Sequence, residues 1–444
     1  MSKKKTIIRS MAVITAAVSL FGFSAAQKQK ADPVTHTSAI KNSNQAYDAQ
    51  IVNQKNSSNP IYRTLPTNPK SLPKISATAG TYNGKFVRVL KIRVTRAGAY
   101  AYIRYFDKTL GWISLNALQK TTLSQIAAAT MKQYNAIGCA LLISAGIKNT
   151  AMAANGYADQ KAGILNETSG KVLYPLASLQ KSMTGAIIQQ LISSGKISIN
   201  DKLSQWYPQV KHADQITIKQ MLTMTSGLNN NDYTPKANMT ENQAITSMLT
   251  RLSSDGKSTY QYSDANFVLL AGIIAKVTGS SYENNLKTRI FEQVNMNNTL
   301  FAGEPVGNKM LEQSYLAKND QNYATAAPLP VSLQTTIPGA GNLYTTLSDY
   351  FAFQSGLGNG QILTSSQFKQ LLSYGKPYSG GFYVNNPGIK QAHGGFNGTG
   401  IKTDLYANIN NYHGALVFLN QMPLNNQTSS QDFAKIMYQI SRYY

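Results

Sequence analysis

One stretch constrains this chain more than any other: Tyr174-Pro-Leu-Ala-Ser178-Leu-Gln-Lys181-Ser-Met-Thr-Gly185. Pro175 suits a first helical position, and Met183, Ile187, Ile188, Leu191 and Ile192 come next at helical spacing until Gly195 supplies a C-cap. The pattern predicts a buried helix with Ser178 in its first turn, where free backbone N–H groups and the positive dipole end favour a developing negative charge. Lys181 lies one turn along the same face, so its amine can reach the serine oxygen. A serine hydroxyl is a weak nucleophile until a neighbour takes its proton, and a lysine serves if its pKa is drawn below the usual value of about 10.4. Ser-x-x-Lys is nevertheless a loose pattern, and standing alone it more often describes a helix start with a surface lysine. The downstream sequence has to decide.

At 444 residues the chain is long enough for two or three domains, and its 42% hydrophobic content excludes wholesale disorder. Lys3, Lys4, Lys5 and Arg9 precede an apolar run from Met11 to Ala26 that ends in small residues. This predicts a secretory signal peptide over residues 1–26, cleaved after Ala26. The alternative is an uncleaved anchor, for which the run is slightly short. No later segment is apolar enough to span a bilayer. The single cysteine, Cys139, excludes an internal disulfide, and its setting in Gly-Cys-Ala-Leu-Leu-Ile-Ser reads as a buried strand. The net charge of +23 is uneven: residues 1–120 carry +16 and the remaining 324 carry +7. Charge alone would suit nucleic acid, but export argues for no nucleic acid and for wall teichoic acid, lipoteichoic acid or the anionic membrane face.

Residues 27–57 are rich in Gln, Asn, Ser, Lys and Thr and read as a flexible linker. Residues 58–119 then carry short β-type runs, Phe86–Val94 and Ala99–Tyr105, separated by turn signals at Asn83-Gly84 and Ala97-Gly98. These predict a small, basic, all-β domain, barrel-like or a meander. From Ile61-Tyr62 through Gly80-Thr-Tyr-Asn-Gly84 to Gly111-Trp112 and the adjoining Asn-Ala-Leu, the stretch resembles a GW module of Gram-positive surface proteins. The resemblance implies attachment to teichoic acids and makes Gly111 and Trp112 candidate wall-binding residues; the alternative is a basic domain that only spaces the C-terminal domain from the surface. Leu123, Ile126, Ala127, Met131 and Tyr134 then mark a helix, and strands are expected at about 138–147 and 150–157. Near the end a strand around Gly414–Leu419 precedes a helix through Phe433, Ile436, Met437 and Ile440. Terminal helices bracketing strands, with helices inserted between, suggest an antiparallel sheet faced by helices, an α/β (α+β) architecture spanning residues 122–444.

Two further elements lie downstream of the Ser178 stretch. Tyr260-Gln-Tyr262-Ser263-Asp264-Ala-Asn266-Phe267 leads into a helix with a buried face at 267, 270, 274 and 277, for which Ser263 or Asp264 is a natural N-cap. Tyr262 therefore sits just before a helix, where a phenol can project into a cleft and, beside a cation, act as a base. A half-buried structural tyrosine is the plain alternative. The third element, Ala-His393-Gly394-Gly395-Phe396-Asn-Gly398, has two glycines after a histidine, which let a strand backbone approach a ligand closely. Taken singly it is more often loop chemistry than catalysis.

Together the three elements resemble the penicillin-recognising serine hydrolases, nearest the branch of class C β-lactamases, DD-carboxypeptidases and D-amino-acid esterases. Thr217–Leu228, Ile290–Thr299 and Pro338–Asp349 match that branch in order. The resemblance implies a β-lactamase-like fold, Ser178 as the acylated nucleophile, Lys181 as its proton acceptor and Tyr262 as the proton shuttle. It places His393 where other members carry the lysine of Lys-Thr-Gly, with Gly394 and Gly395 completing the motif and Phe396 N–H joining Ser178 N–H in an oxyanion hole. One departure stands out: the branch usually has Asn two residues after the tyrosine, and here it is Asp264. An aspartate there would draw Lys181 toward its charged form or favour a substrate ammonium group, unless it only caps the helix. Asn266 has the right amide at the wrong spacing.

The implied function is an exported serine acyl-hydrolase acting on D-alanyl groups of peptidoglycan stem peptides or D-alanylated teichoic acid. A β-lactamase, with β-lactam acylation of the same serine, and a catalytically weak surface-binding protein are the alternatives. No cofactor is expected, and no metal, since His36, His212, His393 and His413 are not at ligand spacing with cysteines or carboxylates.

Overall fold

The computed structural model describes residues 41–52, 59–319, 321–423 and 428–444, so the expected signal segment 1–26 lies outside the described residues. Among the described residues no helix is long and apolar enough to cross a membrane.

The N-terminal module is one antiparallel sheet of seven strands: β1 (Tyr47–Ile51), β2 (Pro60–Tyr62), β3 (Ile75–Thr78), β4 (Phe86–Thr95), β5 (Gly98–Tyr105), β6 (Lys108–Ser114) and β7 (Leu118–Thr121). Its spatial order is β3-β2-β6-β5-β4-β1-β7. Inward-facing Ala49, Ile51, Val87, Val89, Ala101, Ile103 and Ile113 give it a core of its own. The module begins earlier than expected. β1 falls inside the stretch read as linker, yet it pairs with both β4 and β7. Its inward positions Tyr47, Ala49 and Ile51 make too short an alternation to stand out, and its partners Arg88 and Thr121 lie far along the chain.

The Gly111-Trp112 pair lies on β6. Gly111 has φ +127° and its Cα faces the Tyr62 carbonyl so closely that any side chain would collide with it. Trp112 is 7% exposed and packs with Tyr62, Tyr100 and Tyr102, with Lys91 Nζ 5.4 Å from its ring. The pair is packed into the module's fold.

The second sheet has the order β10-β11-β12-β13-β14-β8-β9, all antiparallel. Its strands are β8 (Ile137–Ser144), β9 (Thr150–Asn155), β10 (Tyr378–Ser379), β11 (Phe382–Tyr383), β12 (Ile389–Gly395), β13 (Lys402–Asn408) and β14 (His413–Gln421). Four helices pack on it or carry site residues: α1 (Leu123–Gln133), α2 (Lys181–Ser193), α3 (Asp264–Thr278) and α4 (Ser430–Tyr443). Strand alternation explains why both faces of this sheet are covered. Cys139, Leu141 and Ile143 point into the larger core, formed with α2 and α3, while Ala140 and Leu142 point to α1 and α4. Leu416 and Phe418 on β14 alternate with Ala415, Val417 and Leu419 in the same way. Each Leu, Ile, Val or Phe among them contributes about 1.5–3 kcal/mol when fully buried, so a one-residue slip is excluded.

The module seats against the end of α4. Arg88 Nη1 donates to Asp48 Oδ1 at 2.7 Å and to the Tyr444 carbonyl oxygen at 3.1 Å, and Arg104 Nη2 donates to the Tyr443 carbonyl oxygen at 3.3 Å. Cationic donors suit these carbonyls at a helix C-terminus. Tyr444 Oη returns a hydrogen bond to the Phe86 carbonyl at 2.6 Å, and Phe106 stacks edge-on to Tyr443 and Tyr444. These contacts are on the α1/α4 side of the sheet, opposite the side that carries α2 and α3.

Candidate active site

Ser178 does not follow a helix-initiating proline. Pro175 is the last residue of a short strand, Val172–Pro175, paired with Tyr344, and Leu176 N continues the pairing to Leu343 O at 2.8 Å. The chain then turns sharply at Ala177, φ +49°, into a single 3-10 turn, Ala177–Gln180, that runs on into α2. A left-handed alanine costs about 1–2 kcal/mol and persists only where its surroundings hold it. Here Ala177 is buried against Phe396 and Ile401, and Thr403 Oγ1 on β13 donates to the Leu176 carbonyl at 3.0 Å. The strained corner carries Ser178 at a helix entrance on rigid elements from two distant stretches. The C-cap residue of α2 is Ser194, and the expected Gly195, φ +71°, follows it one position later.

Lys181 is fully buried. Its Nζ donates to Ser178 Oγ at 2.8 Å and to the Ala340 carbonyl at 2.9 Å, and it lies 2.7 Å from Asp264 Oδ1. The Asp264 contact is short but poorly aligned for a hydrogen bond, so it is an ion pair first. Burial alone would lower the lysine pKa; the Asp264 carboxylate, helped by Tyr262, outweighs that and raises it above its ordinary value. The amine is therefore charged at neutral pH and acts toward Ser178 as a donor in the free protein.

Asp264 is not the helix cap. The N-cap position of α3 is Ser263, whose side chain makes no capping bond. Asn230 does that work, its Oδ1 accepting from Ala265 N and from Ser263 Oγ, both at 2.9 Å. Asp264 is thereby free to face Lys181, with its side chain 23% exposed. Asn266 is turned away and hydrogen-bonds Ser226 and the Ser263 carbonyl. Tyr262 stands with its ring centroid 5.1 Å from Lys181 Nζ and is 37% exposed. An aromatic wall continues from it: Tyr378 edge-on at 6.0 Å, Tyr383 at 5.0 Å from Tyr378, and His393 at 4.9 Å from Tyr383. Burial pushes the Tyr378 and Tyr383 phenols up, so both stay neutral.

The third element is the end of β12, as the histidine and glycines suggested. A side chain on Gly394 would collide with Thr403 Oγ1 and lie 2.9 Å from Ser178 N, so glycine is what lets this strand reach the nucleophile turn. Gly395 pairs with Lys402, and Phe396 packs its ring on Ala177, next to Ser178. His393 Nδ1 is 2.9 Å from Asp404 Oδ1 across the ladder. Ser178, Lys181, Tyr262, Asp264, Gly394 and Phe396 are thus drawn together from three separate stretches, with His393 on the same strand end.

Several contributors were not foreseen: the Ala340 carbonyl, the Asn230 cap, Tyr378, Tyr383 and Asp404. Asp404 alone left a usable trace. Counting outward from the Asn397-Gly398-Thr399-Gly400 turn places 404 opposite 393. Among the described residues no group of three His, Cys, Asp or Glu side chains is placed to hold a metal ion.

The Beta-lactamase family model matches residues 123–431, and that of the GW (Gly-Tryp) dipeptide domain matches residues 41–119. The teichoic acid D-alanine hydrolase of Staphylococcus aureus is 30% identical over 263 residues, 55% of this chain and 61% of that protein. The chain thus spans about three fifths of that relative's length. The crystal structure of FmtA from Staphylococcus aureus superposes with a TM-score of 0.62 at 24% identity, covering 72% of this chain and 88% of that one. D-amino acid amidase from Ochrobactrum anthropi SV3, complexed with D-phenylalanine, gives 0.60 at 19% identity, covering 72% and 98%. At these identities the two structures establish the shared fold.

Proposed function

The chain belongs to the Beta-lactamase family and carries a GW domain, and on that premise we propose that it is an exported serine acyl-hydrolase that removes D-alanyl groups from cell-wall polymers, with D-alanylated teichoic acid as the favoured substrate. The observation that carries the reading is Lys181, buried between Ser178 Oγ and the Asp264 carboxylate. Ser178 Oγ attacks the ester carbonyl, and the oxyanion is held by the Ser178 and Phe396 N–H groups. Tyr262 passes the proton to the departing polymer hydroxyl, and water then releases D-alanine from the acyl-enzyme.

Asp264 decides between substrates. In the free protein it keeps Lys181 protonated, which is the wrong state for a base. A D-alanyl ester brings its own ammonium group. Pairing with the exposed edge of Asp264, that ammonium competes for the carboxylate, and Lys181, left buried without its counter-charge, gives up its proton readily. The substrate would thus switch on its own base. A stem peptide ending in D-alanine offers a carboxylate in place of an ammonium and gains nothing from Asp264. The name of the Staphylococcus aureus relative and the net charge of +12 over residues 27–120 support the same polymer.

The charged Lys181 also supports a second reading, a surface-binding protein with little turnover. The two part in one experiment: purified protein and its Ser178→Ala variant are given D-alanylated lipoteichoic acid, and released D-alanine is measured. Release that depends on Ser178 supports the hydrolase; equal release by both proteins, or none by either, defeats it.

A further inference from the structure

His393 and Asp404 form a pair that the proposed hydrolysis does not use. They face each other across the β12–β13 ladder, with His393 Nδ1 2.9 Å from Asp404 Oδ1. Asp404 is 1% exposed, and its second oxygen has no hydrogen-bond partner. Keeping a carboxylate buried with one oxygen unbonded is costly, and an apolar pair of equal volume would serve packing as well or better. The His393 side chain is 18% exposed although its Nδ1 edge is closed off by a buried group, so solvent reaches the ring away from Nδ1. One ring face is fixed by Tyr383 at 4.9 Å and 37°. The next residue along the strand, Gly394, is the one that abuts Ser178 N.

We propose that Asp404 is a positioning residue: it holds His393 with the proton on Nδ1 and Nε2 aimed into the cleft beside Ser178, ready to accept a hydrogen bond from the bound substrate. An ionised carboxylate can only accept, so the ring must donate to it through Nδ1, and one tautomer and one orientation result. The strand end thereby offers an acceptor nitrogen where a lysine would offer only donors. An acceptor suits a substrate that presents an ammonium or hydroxyl donor. This assignment rests on the D-alanyl hydrolase reading for its substrate, but its geometry can be tested separately.

The test uses the full chain labelled with 15N-histidine, the His393 resonances being assigned by their loss in His393→Gln. In the wild type the ring should show the Nδ1–H tautomer. In Asp404→Asn the side-chain amide can donate to Nδ1, and the proton should move to Nε2; kcat/KM for a chromogenic D-alanyl ester should fall by about 10- to 100-fold. Asp404→Ala, which frees the ring, should lose activity to a similar extent and show averaged tautomers. A merely structural carboxylate would change stability without moving the proton. An Asp404→Ala protein that keeps a single Nδ1–H tautomer, or that folds and retains activity within twofold, overturns the proposal. If the wild type proves inactive on the ester, the substrate reading fails, and the tautomer measurement still decides the positioning.

Discussion

Among the described residues of the hydrolase domain, Lys181 and Lys390 are both wholly buried, and they are held in opposite ways. Lys181 has three oxygen neighbours, one of them the Asp264 carboxylate, and its pKa is raised. Lys390, on β12 only three residues from His393, has no hydrogen-bond partner for its Nζ. It sits 5.2 Å from the Phe368 ring and 5.9 Å from that of Phe382, and burial pulls its pKa down to about 7. Burial is the same; the counter-charge is not. A buried amine beside a carboxylate is a stable cation that needs a trigger to act as a base, whereas a buried amine among rings is close to neutral and costs stability when charged.

The largest expected effect of breaking this contrast is on Lys181. Lys181→Met should reduce kcat/KM for a D-alanyl ester by about 1,000-fold, the range of a lost general base, while Lys390→Met leaves it within about twofold. Equal losses would show that the amines are not functionally distinct.

Stability should respond the other way. The unfolded chain holds the Lys390 proton up to about pH 10.5, while the native protein releases it near 7. As pH falls from 10.5 to 7 the unfolded state gains a proton that the native state lacks, so stability falls; below 7 both are charged and the loss levels off. Lys390→Met should therefore stabilise the protein by on the order of a few kcal/mol at pH 7, with the gain shrinking toward pH 10.5. Urea unfolding at several pH values reads this directly. The Lys181–Asp264 pair has the opposite sign: with a raised lysine pKa its contribution is intact at neutral pH and is lost only above the lysine range.

Asp264→Asn would make Lys181 resemble Lys390. Hydrolysis of the D-alanyl ester should fall about 10- to 100-fold, the worth of a hydrogen bond to a charged group. Labelling of Ser178 by a neutral fluorophosphonate should become faster at pH 7, because burial is no longer opposed. A parallel fall in both rates would contradict the trigger role of Asp264. The smallest effect sharpens the other side: Phe368→Leu should cost about 1 kcal/mol more at pH 6, where Lys390 is charged, than at pH 9.

Much of this fold was legible because periodicity survives in long elements. α1, α2, α3, β8, β14 and α4 appear where the spacing of Ile126, Ile187, Leu270, Leu141, Val417 and Met437 implied. What was missed depends on partners remote in sequence. β1 shows as a strand only beside β4 and β7. Pro175 looked like a helix start because its strand partner, Tyr344, is far downstream. The departure at Asp264 was readable from two residues of spacing; its freedom from capping was not, since that depends on Asn230. Trp112 marked the module correctly, but no pattern of residue types distinguishes an aromatic that packs from one that binds.

The most direct measurement is intact mass after the wild type and Ser178→Ala are incubated with a fluorophosphonate and, separately, with a D-alanyl thioester, with subsequent digestion to place the adduct. A single adduct on Ser178, absent from the variant and short-lived for the D-alanyl group, is the predicted result. An unmodified wild type, or an adduct on another residue, contradicts the account.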